Sequence, residues 1–457
     1  MTASSIVWLR QDLRLLDQPA FAAAAAEGPV VALYVLDDET PGAWKTGAAQ
    51  RWWLHHSLAA LGAELAAKGV PLVLRRGSAA DEVARLAGEL GAPQVHALAH
   101  YEPWWQAAEA AVAEQLDLAL YDGAMLASPR GVRTKTGGRY RIFTPYWRAL
   151  LDQMPPAPPQ PMPENLQGIA TNVPSDRLDD WALLPTSPDW ARGFAEWTPG
   201  EAGALARVEA LAERIAGYDR DRNLPSLDGS SRLSPHLHFG EVSPATVWQT
   251  ARAAEGDATA YLREIGWRDF AANMIDQFPN LGDANGRAPH DRMPWRSDPE
   301  AERDFTAWTR GQTGYPIVDA GMRELWATGW MHNRVRMLAA SFLVKHLLID
   351  WRRGARWFWD PLVDADYGNN SVNWQWIAGT GHDSNPFGRI MAPLSQSVKF
   401  DAADYIRRWV PELAAVSDAD IHDPHEAGVH PRCYPAPLIG HREARARALE
   451  AAGKARA

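Results

Sequence analysis

Residues 364–376, DADYGNNSVNWQW, bring together two carboxylates (Asp364, Asp366), three asparagines (Asn369, Asn370, Asn373) and two indoles (Trp374, Trp376). The stretch is too polar for a buried strand and too aromatic for an ordinary loop. Carboxylates and amides can hold hydroxyls, amines or a guanidinium. Indoles add flat apolar faces and are easily oxidised for side chains. EIGWRDF, residues 264–270, sets Glu264, Trp267 and Arg268 within one helical turn of each other. WMHNRVRM, residues 330–337, puts Asn333, Arg336 and Met337 on one side of a helix. These charges stand beside long apolar runs. They form either a polar pocket inside a helical core or a surface salt-bridge cluster. In SSRLSP, residues 230–235, Ser230, Ser231 and Ser234 offer hydroxyls and backbone N–H groups at a helix start. That is either an ordinary N-cap or an anion site.

Other signals are weak. GTGHDS, residues 379–384, follows no strand, so it is not a dinucleotide loop. His422, His425, His430 and Cys433 have a loosely metal-like spacing but lie in a proline-rich segment without a rigid frame, and no metal site is expected. A P-loop, a nucleophile-elbow serine and an HExxH pair are absent. Cys433 is the single cysteine, which excludes a disulfide framework and a cysteine-ligated iron–sulfur cluster and fits a reducing cytosol. No apolar run reaches the ~18 residues of a membrane span. The N-terminal MTASSIVWLRQDLR lacks the basic and long apolar regions of a secretory signal, so a cytoplasmic location is expected. The net charge of −10 argues mildly against nucleic acid as a partner unless basic residues gather in one groove. The 22 tryptophans are several times ordinary usage, more than packing alone requires.

The elements that must position these residues fall into two patterns. The 457 residues suggest two domains. Apolar runs at 6–9, 30–36, 70–74 and 95–99 alternate with alanine-rich helical stretches at 18–26, 49–68, 79–91 and 104–115. This predicts an α/β domain over 1–130 with a doubly wound parallel sheet. Residues 131–200 read as a linker, with a turn at Gly137–Gly138 and an extended MPPAPPQPMP at 154–163. From 201 to 457 the periodicity is helical, with helices expected at 202–216, 243–254, 258–276, 299–310, 316–328, 331–349 and 354–362. The C-terminal EARARALEAAGKARA reads as a solvated, helix-prone tail.

IVWLRQDLRLLDQPA, SSRLSPHLHFGEVSP, EIGWRDF, GQTGYPIVDAGMREL, GWMHNRVRMLAASFLVKHLLIDWRRG, DADYGNNSVNWQW, GRIMAPLSQSVKFD and YIRRWVPEL occur here in the order seen in the DNA photolyase/cryptochrome superfamily. The chain resembles that superfamily over nearly its whole length, and closest is its cyclobutane pyrimidine dimer branch. The resemblance implies an N-terminal Rossmann-like antenna domain and a helical domain holding FAD in a bent form. Tyr218, Ser230, Ser231, Arg232, Leu233, Ser234 and Arg268 would hold its phosphates. Asn333, Arg336, Asp364, Ala365 and Asp366 would contact flavin and ribose, with an Arg336–Asp364 ion pair favouring an anionic reduced ring. Asn370, four residues before Trp374, would sit at flavin N5, where photolyases carry Asn and plant cryptochromes tend to carry Asp. Family members often have glycines where this chain has Val372 and Asn373.

By the same resemblance Trp374, Trp351 and Trp295 form an electron chain running from the flavin to the surface. Arg222, Glu264, Trp267, Asn333, Arg334, Met337 and Trp376 would face a flipped-out lesion, and Arg389 and Lys399 join Arg222 and Arg334 as phosphate contacts. The (6-4) branch carries a histidine pair near Met337; its absence favours cyclobutane dimers. The implied reaction is light-driven electron transfer from reduced FAD to the dimer and back. The implied partner is UV-damaged DNA, single- or double-stranded, met by a monomer. HYEPWWQ, residues 100–106, keeps Glu102 but has Trp104 and Trp105 where one folate-binding branch has polar residues. Those indoles would stack on a pterin or pack between domains. The expected antenna is a folate (methenyltetrahydrofolate), with a deazaflavin as alternative. The rival reading is a cryptochrome-type photoreceptor, whose usual long C-terminal extension is not seen.

Overall fold

The computed structural model describes residues 5–91, 94–384 and 387–456. Five parallel strands, β1 Ser5–Leu9, β2 Val30–Leu36, β3 Leu72–Arg76, β4 Gln94–Leu98 and β5 Asp117–Tyr121, line up in the order β3-β2-β1-β4-β5. Helices α1 Pro19–Glu27, α2 Ala48–Ala67, α3 Ala79–Leu90 and α4 Pro103–Ala113 cross between them. β1 and β2 are buried along their whole length, which is why they read as unbroken apolar runs. β3 starts two residues later than the 70–74 run. β5 was not expected: DLALY is a half-exposed edge strand, and its acid and exposed Leu120 hide the pattern.

Residues 154–163 carry no helix or strand. Within the stretch expected to connect the domains, however, Phe143–Leu151 form α5, whose Phe143, Tyr146 and Leu150 enter the helical core. The turn at Gly137 (φ 83°) closes with Thr134 N–H donating to Gly138 O at 2.9 Å.

The remainder is helical: α6 Glu201–Arg214, α7 Tyr218–Asp221, α8 Ser234–His238, α9 Pro244–Ala253, α10 Thr259–Gln277, α11 Pro299–Thr309, α12 Pro316–Thr328, α13 Asn333–Ser341, α14 Trp351–Trp359, α15 Tyr367–Ala378, α16 Pro393–Lys399, α17 Ala403–Trp409 and α18 His441–Arg456. Three expectations change. The segment 331–349 is not one helix: α13 passes into a π turn at Phe342–His346 and ends at Leu348, which has φ 53°. α14 begins at Trp351, not 354, because Asp350 caps it by accepting Arg352 N–H at 2.9 Å. The C-terminal stretch is not solvated all round, since Ala444, Ala448, Ala451 and Ala455 bury one stripe of α18.

The two halves share packing. Phe194, Trp197, Phe239, Trp330 and Val363 complete the core on one face of the sheet. The buried Arg14 guanidinium donates to Gly240 O at 3.0 Å and Gly123 O at 3.1 Å, tying strand-end loops to the helical half. Gly240 has φ 64°, and a Cβ there would lie 2.2 Å from Gln11 O, so only glycine permits this approach.

Candidate functional site

Residues 367–378 form a helix rather than a loop. Asp366 caps α15, accepting Asn369 N–H at 2.6 Å, and Gly379 (φ 83°) ends it. Val372 and Asn373 adopt ordinary helical geometry, so the missing glycines leave the backbone intact. Asn370 and Trp374 stand one turn apart on one face. α15 packs on α10 at Gly368, where a Cβ would lie 3.2 Å from the Ala271 backbone, and on α14 at Gly354, where a Cβ would lie 2.3 Å from the Trp374 ring.

Arg336 on α13 grips Asp364 with two parallel bonds of 3.0 and 2.9 Å, and Ser234 Oγ–H donates to the same carboxylate at 2.6 Å. The Asp364 side chain is only 3% exposed, while Arg336 keeps 23%. Arg336 Nε also donates to Met331 O at 2.7 Å. Asn370 Nδ2 donates to Ala355 O at 3.1 Å, which turns its carbonyl oxygen the other way. Ala365 is buried beside these groups, and Asn333 at the start of α13 is exposed.

The segment expected to hold phosphates lies at the start of α8. Leu233, not a serine, caps the short α8, and Ser231 Oγ accepts Leu233 N–H at 3.3 Å. Ser230 is half-buried, and its carbonyl accepts from Arg214. Arg232 adopts φ 51° and turns away to Glu196 (3.0 Å) and over the Trp330 ring (4.9 Å). Arg268 is likewise occupied, donating to Ala124 O at 2.6 Å and Leu237 O at 3.1 Å, so it joins the two halves. Tyr218 is buried against Tyr261.

On the outer side Arg222 and Glu264 form an ion pair of 2.6 Å and Arg222 lies over Tyr218. Trp267 is half-buried and stacked on Phe143, with centroids 3.6 Å apart. Arg334 bonds Asn223, lies 4.7 Å over Phe400 and sits 3.8 Å from Met337 Sδ. Trp376 is half-buried; Arg389 and Lys399 are exposed. His332 caps α13 through Nδ1, and burial among Arg334 and Arg336 lowers its pKa to about 4, so it is neutral. Burial pushes its neighbour Glu324 up to about 7, and that carboxyl accepts from Tyr405 at 2.6 Å.

Trp351 and Trp374 are buried and Trp295 half-buried. The ring contacts of Trp374 are Phe358 (5.0 Å) and Trp308 (6.4 Å), and Trp308 meets Trp357 at 5.4 Å. Sequence reasoning missed Trp308, Trp357 and Asn223. No local periodicity points to them, though the tryptophan surplus was a general signal.

A cleft between the two halves is lined by Tyr34, Trp44, Trp104, Trp105 and Trp359. Trp104 meets Tyr367 edge-on at 5.1 Å, and the Trp105 Nε1 has no partner among the described residues. Glu102 precedes α4, and its carboxylate accepts Tyr101 N–H at 3.2 Å. Its pKa is raised to about 7, first by burial and then by the charge of Asp366.

The family model described as DNA photolyase matches residues 5–164, and that described as FAD binding domain of DNA photolyase matches 261–454. A deoxyribodipyrimidine photo-lyase of Agrobacterium fabrum is 45% identical over 98% of this chain and 98% of its own. Cryptochrome-1 of Arabidopsis thaliana is 35% identical over 98% of this chain and 70% of its own. A bacterial class III photolyase structure from Agrobacterium tumefaciens superposes with TM-score 0.94 at 44% identity, covering 100% of this chain and 98% of that one. The chain therefore belongs to the DNA photolyase/cryptochrome family.

Proposed function

We propose that this chain is a light-driven photolyase of cyclobutane pyrimidine dimers in DNA. The observation that carries the reading is the neutral Asn370 on α15, one turn before Trp374 and with its nitrogen already committed to Ala355 O. The residues fit FAD by their chemistry. Ser231 suits a phosphate, Ser234 steadies the Asp364 carboxylate, Asp366 and Asn333 suit sugar hydroxyls, and the Arg336–Asp364 pair suits the edge of an anionic ring. The Asn370 carbonyl would accept an N–H from a reduced flavin, and the amide has no proton to give readily. That suits an enzyme working with fully reduced flavin, whereas an acid there would steady a neutral radical. Bound FAD supplies light absorption and the electron that opens the dimer's two ring bonds.

The protein's own part is binding and orientation. Glu264 and Asn333 meet the base edges of the lesion, Trp267 and Trp376 flank it, and Arg222, Arg334, Arg389 and Lys399 meet phosphates. The lesion must leave the helix to reach the flavin, and a poorly stacked dimer costs less to extrude. His332 is followed by Asn333 and not by a second histidine, and its Nδ1 is taken up by Arg334 N–H; this favours the cyclobutane dimer over the (6-4) product. Trp374 passes electrons inward, either from Trp351 and Trp295 or from Trp308 and Trp357.

A folate stacked between the indoles of the interdomain cleft is the proposed antenna, with a deazaflavin as alternative; the absorbance spectrum of the purified protein separates them. The likeness to Cryptochrome-1 supports a second reading, a photoreceptor without repair. Binding assays with dimer-containing and undamaged oligonucleotides at two salt concentrations test the choice. Lesion-specific binding supports repair, and equal weak binding to both supports the photoreceptor.

A further inference from the structure

Lys345 lies in the π turn after α13 and is 1% exposed. Its ammonium donates to Ala378 O at 3.0 Å and Phe387 O at 2.8 Å and sits 3.6 Å over the Phe387 ring. Among the described residues no carboxylate pairs with it. Ala378 is one turn beyond Trp374 on α15, and Phe387 meets Trp295 at 6.2 Å. A buried ammonium with no carboxylate partner among the described residues thus joins the helix that carries Trp374 to the Phe387 that meets Trp295. An apolar side chain of similar length would fill this space without the cost of burying a charge.

The other cations along the indole routes are balanced or fixed. Arg352, over Trp351, pairs with Asp350; Arg353 pairs with Glu302; Arg296, next to Trp295, pairs with Asp304. Arg287 donates to Gly379 O. His346 turns instead to His441 on α18, and Arg447 donates to the His346 carbonyl.

We propose that Lys345 is a positioning residue that selects which outer indole supplies the electron. Its positive charge disfavours oxidation of Trp295 and directs it through Trp308 to Trp357; its neutral form opens Trp295. The inference rests on the reading above that Trp374 relays electrons inward. In each event one electron moves inward and one positive charge ends on the outer indole. That indole loses its Nε1 proton to water and is then restored by a hydrogen atom from a thiol in the medium. Burial lowers the Lys345 pKa to about 7, so the choice changes near neutral pH.

The test is transient absorption of indole radicals in the flavin-loaded full chain at pH 6 and pH 9. Trp295→Phe and Trp357→Phe assign the two signals. The share on Trp295 should rise roughly tenfold from pH 6 to pH 9 in the native protein. It should be high at both pH values in Lys345→Met and low at both in Lys345→Arg. Equal shares in all three proteins, or the native pH dependence surviving in Lys345→Met, overturns the assignment. If Lys345→Met does not fold, the native pH series and Lys345→Arg still decide. If Trp374→Phe leaves the radical yield unchanged, the relay itself falls and this inference with it. Radicals lost in Trp374→Phe, with shares that do not move, sink the Lys345 role alone.

Discussion

Asp364→Asn is the perturbation whose effect is most directly calculable. The carboxylate accepts three bonds, two from Arg336 at 3.0 and 2.9 Å and one from Ser234 at 2.6 Å, and is almost fully buried. Breaking a buried pair by neutralising one partner costs about 3–5 kcal/mol, because the other charge stays behind. Here Arg336 keeps some contact with water and the amide oxygen keeps one acceptor position, so the lower end, about 3 kcal/mol, applies. That corresponds to a fall in Tm of about 6–12 °C for a cooperative unit of roughly 250 residues. The assay is thermal unfolding of the single variants and the Arg336→Met/Asp364→Asn double variant, with flavin content measured alongside. The double variant should recover about 1.5 kcal/mol relative to the sum of the singles. Strict additivity would refute the coupling of these side chains, and full flavin retention in Asp364→Asn would remove the pair from the cofactor site.

Asp269 tests the burial argument by pH. Burial pushes its carboxyl up to about 7, Leu126 N–H donates to Oδ1 at 2.8 Å, and Oδ2 has no partner among the described residues. A folded-state pKa above the unfolded one stabilises below the ordinary carboxylate range, and that contribution is lost as pH rises through about 7. Asp269→Asn keeps the acceptor and should match the native protein near pH 4, yet be more stable by about 2–4 kcal/mol at pH 8; urea titrations at both pH values measure this, and a constant difference contradicts it. Gly354→Ala gains up to ~1 kcal/mol of helix propensity but forces a methyl against Trp374, an overpacking cost of about 1–3 kcal/mol; a net loss of stability together with reduced indole-radical yield is expected. Glu264→Ala removes the partner of Arg222 and the proposed lesion acceptor, so preference for dimer over undamaged oligonucleotide should fall roughly 10–100-fold by competition binding, and an unchanged preference would remove Glu264 from the lesion pocket.

β1 to β4 were legible as apolar runs, β1 and β2 because both of their faces are buried. β5 was not, because its acid and exposed Leu120 interrupt the run. α15 escaped notice because its mixture of amides and aromatic residues forms no amphipathic stripe; only Asp366, three residues before Asn369, marked its start. The Arg336–Asp364 pair was expected and is present. The Arg222–Glu264 pair joins helices 42 residues apart, and no periodicity encodes such a meeting. Arg232 and Arg268 show the same limit: their side chains are committed to Glu196 and to backbone carbonyls, which local sequence cannot disclose. Trp104 and Trp105 were open between stacking on a ligand and packing between domains. The structure puts both on the interdomain cleft, with Trp104 also packed on Tyr367.

Repair is tested most directly by illuminating the reduced, flavin-loaded chain with an oligonucleotide carrying a thymine cyclobutane dimer and following absorbance near 260 nm. Recovery of thymine absorbance under blue or near-UV light, absent in the dark and with a (6-4) lesion, is the predicted result. No recovery from a chain that holds its flavin and binds the oligonucleotide would contradict the account and leave the photoreceptor reading in its place.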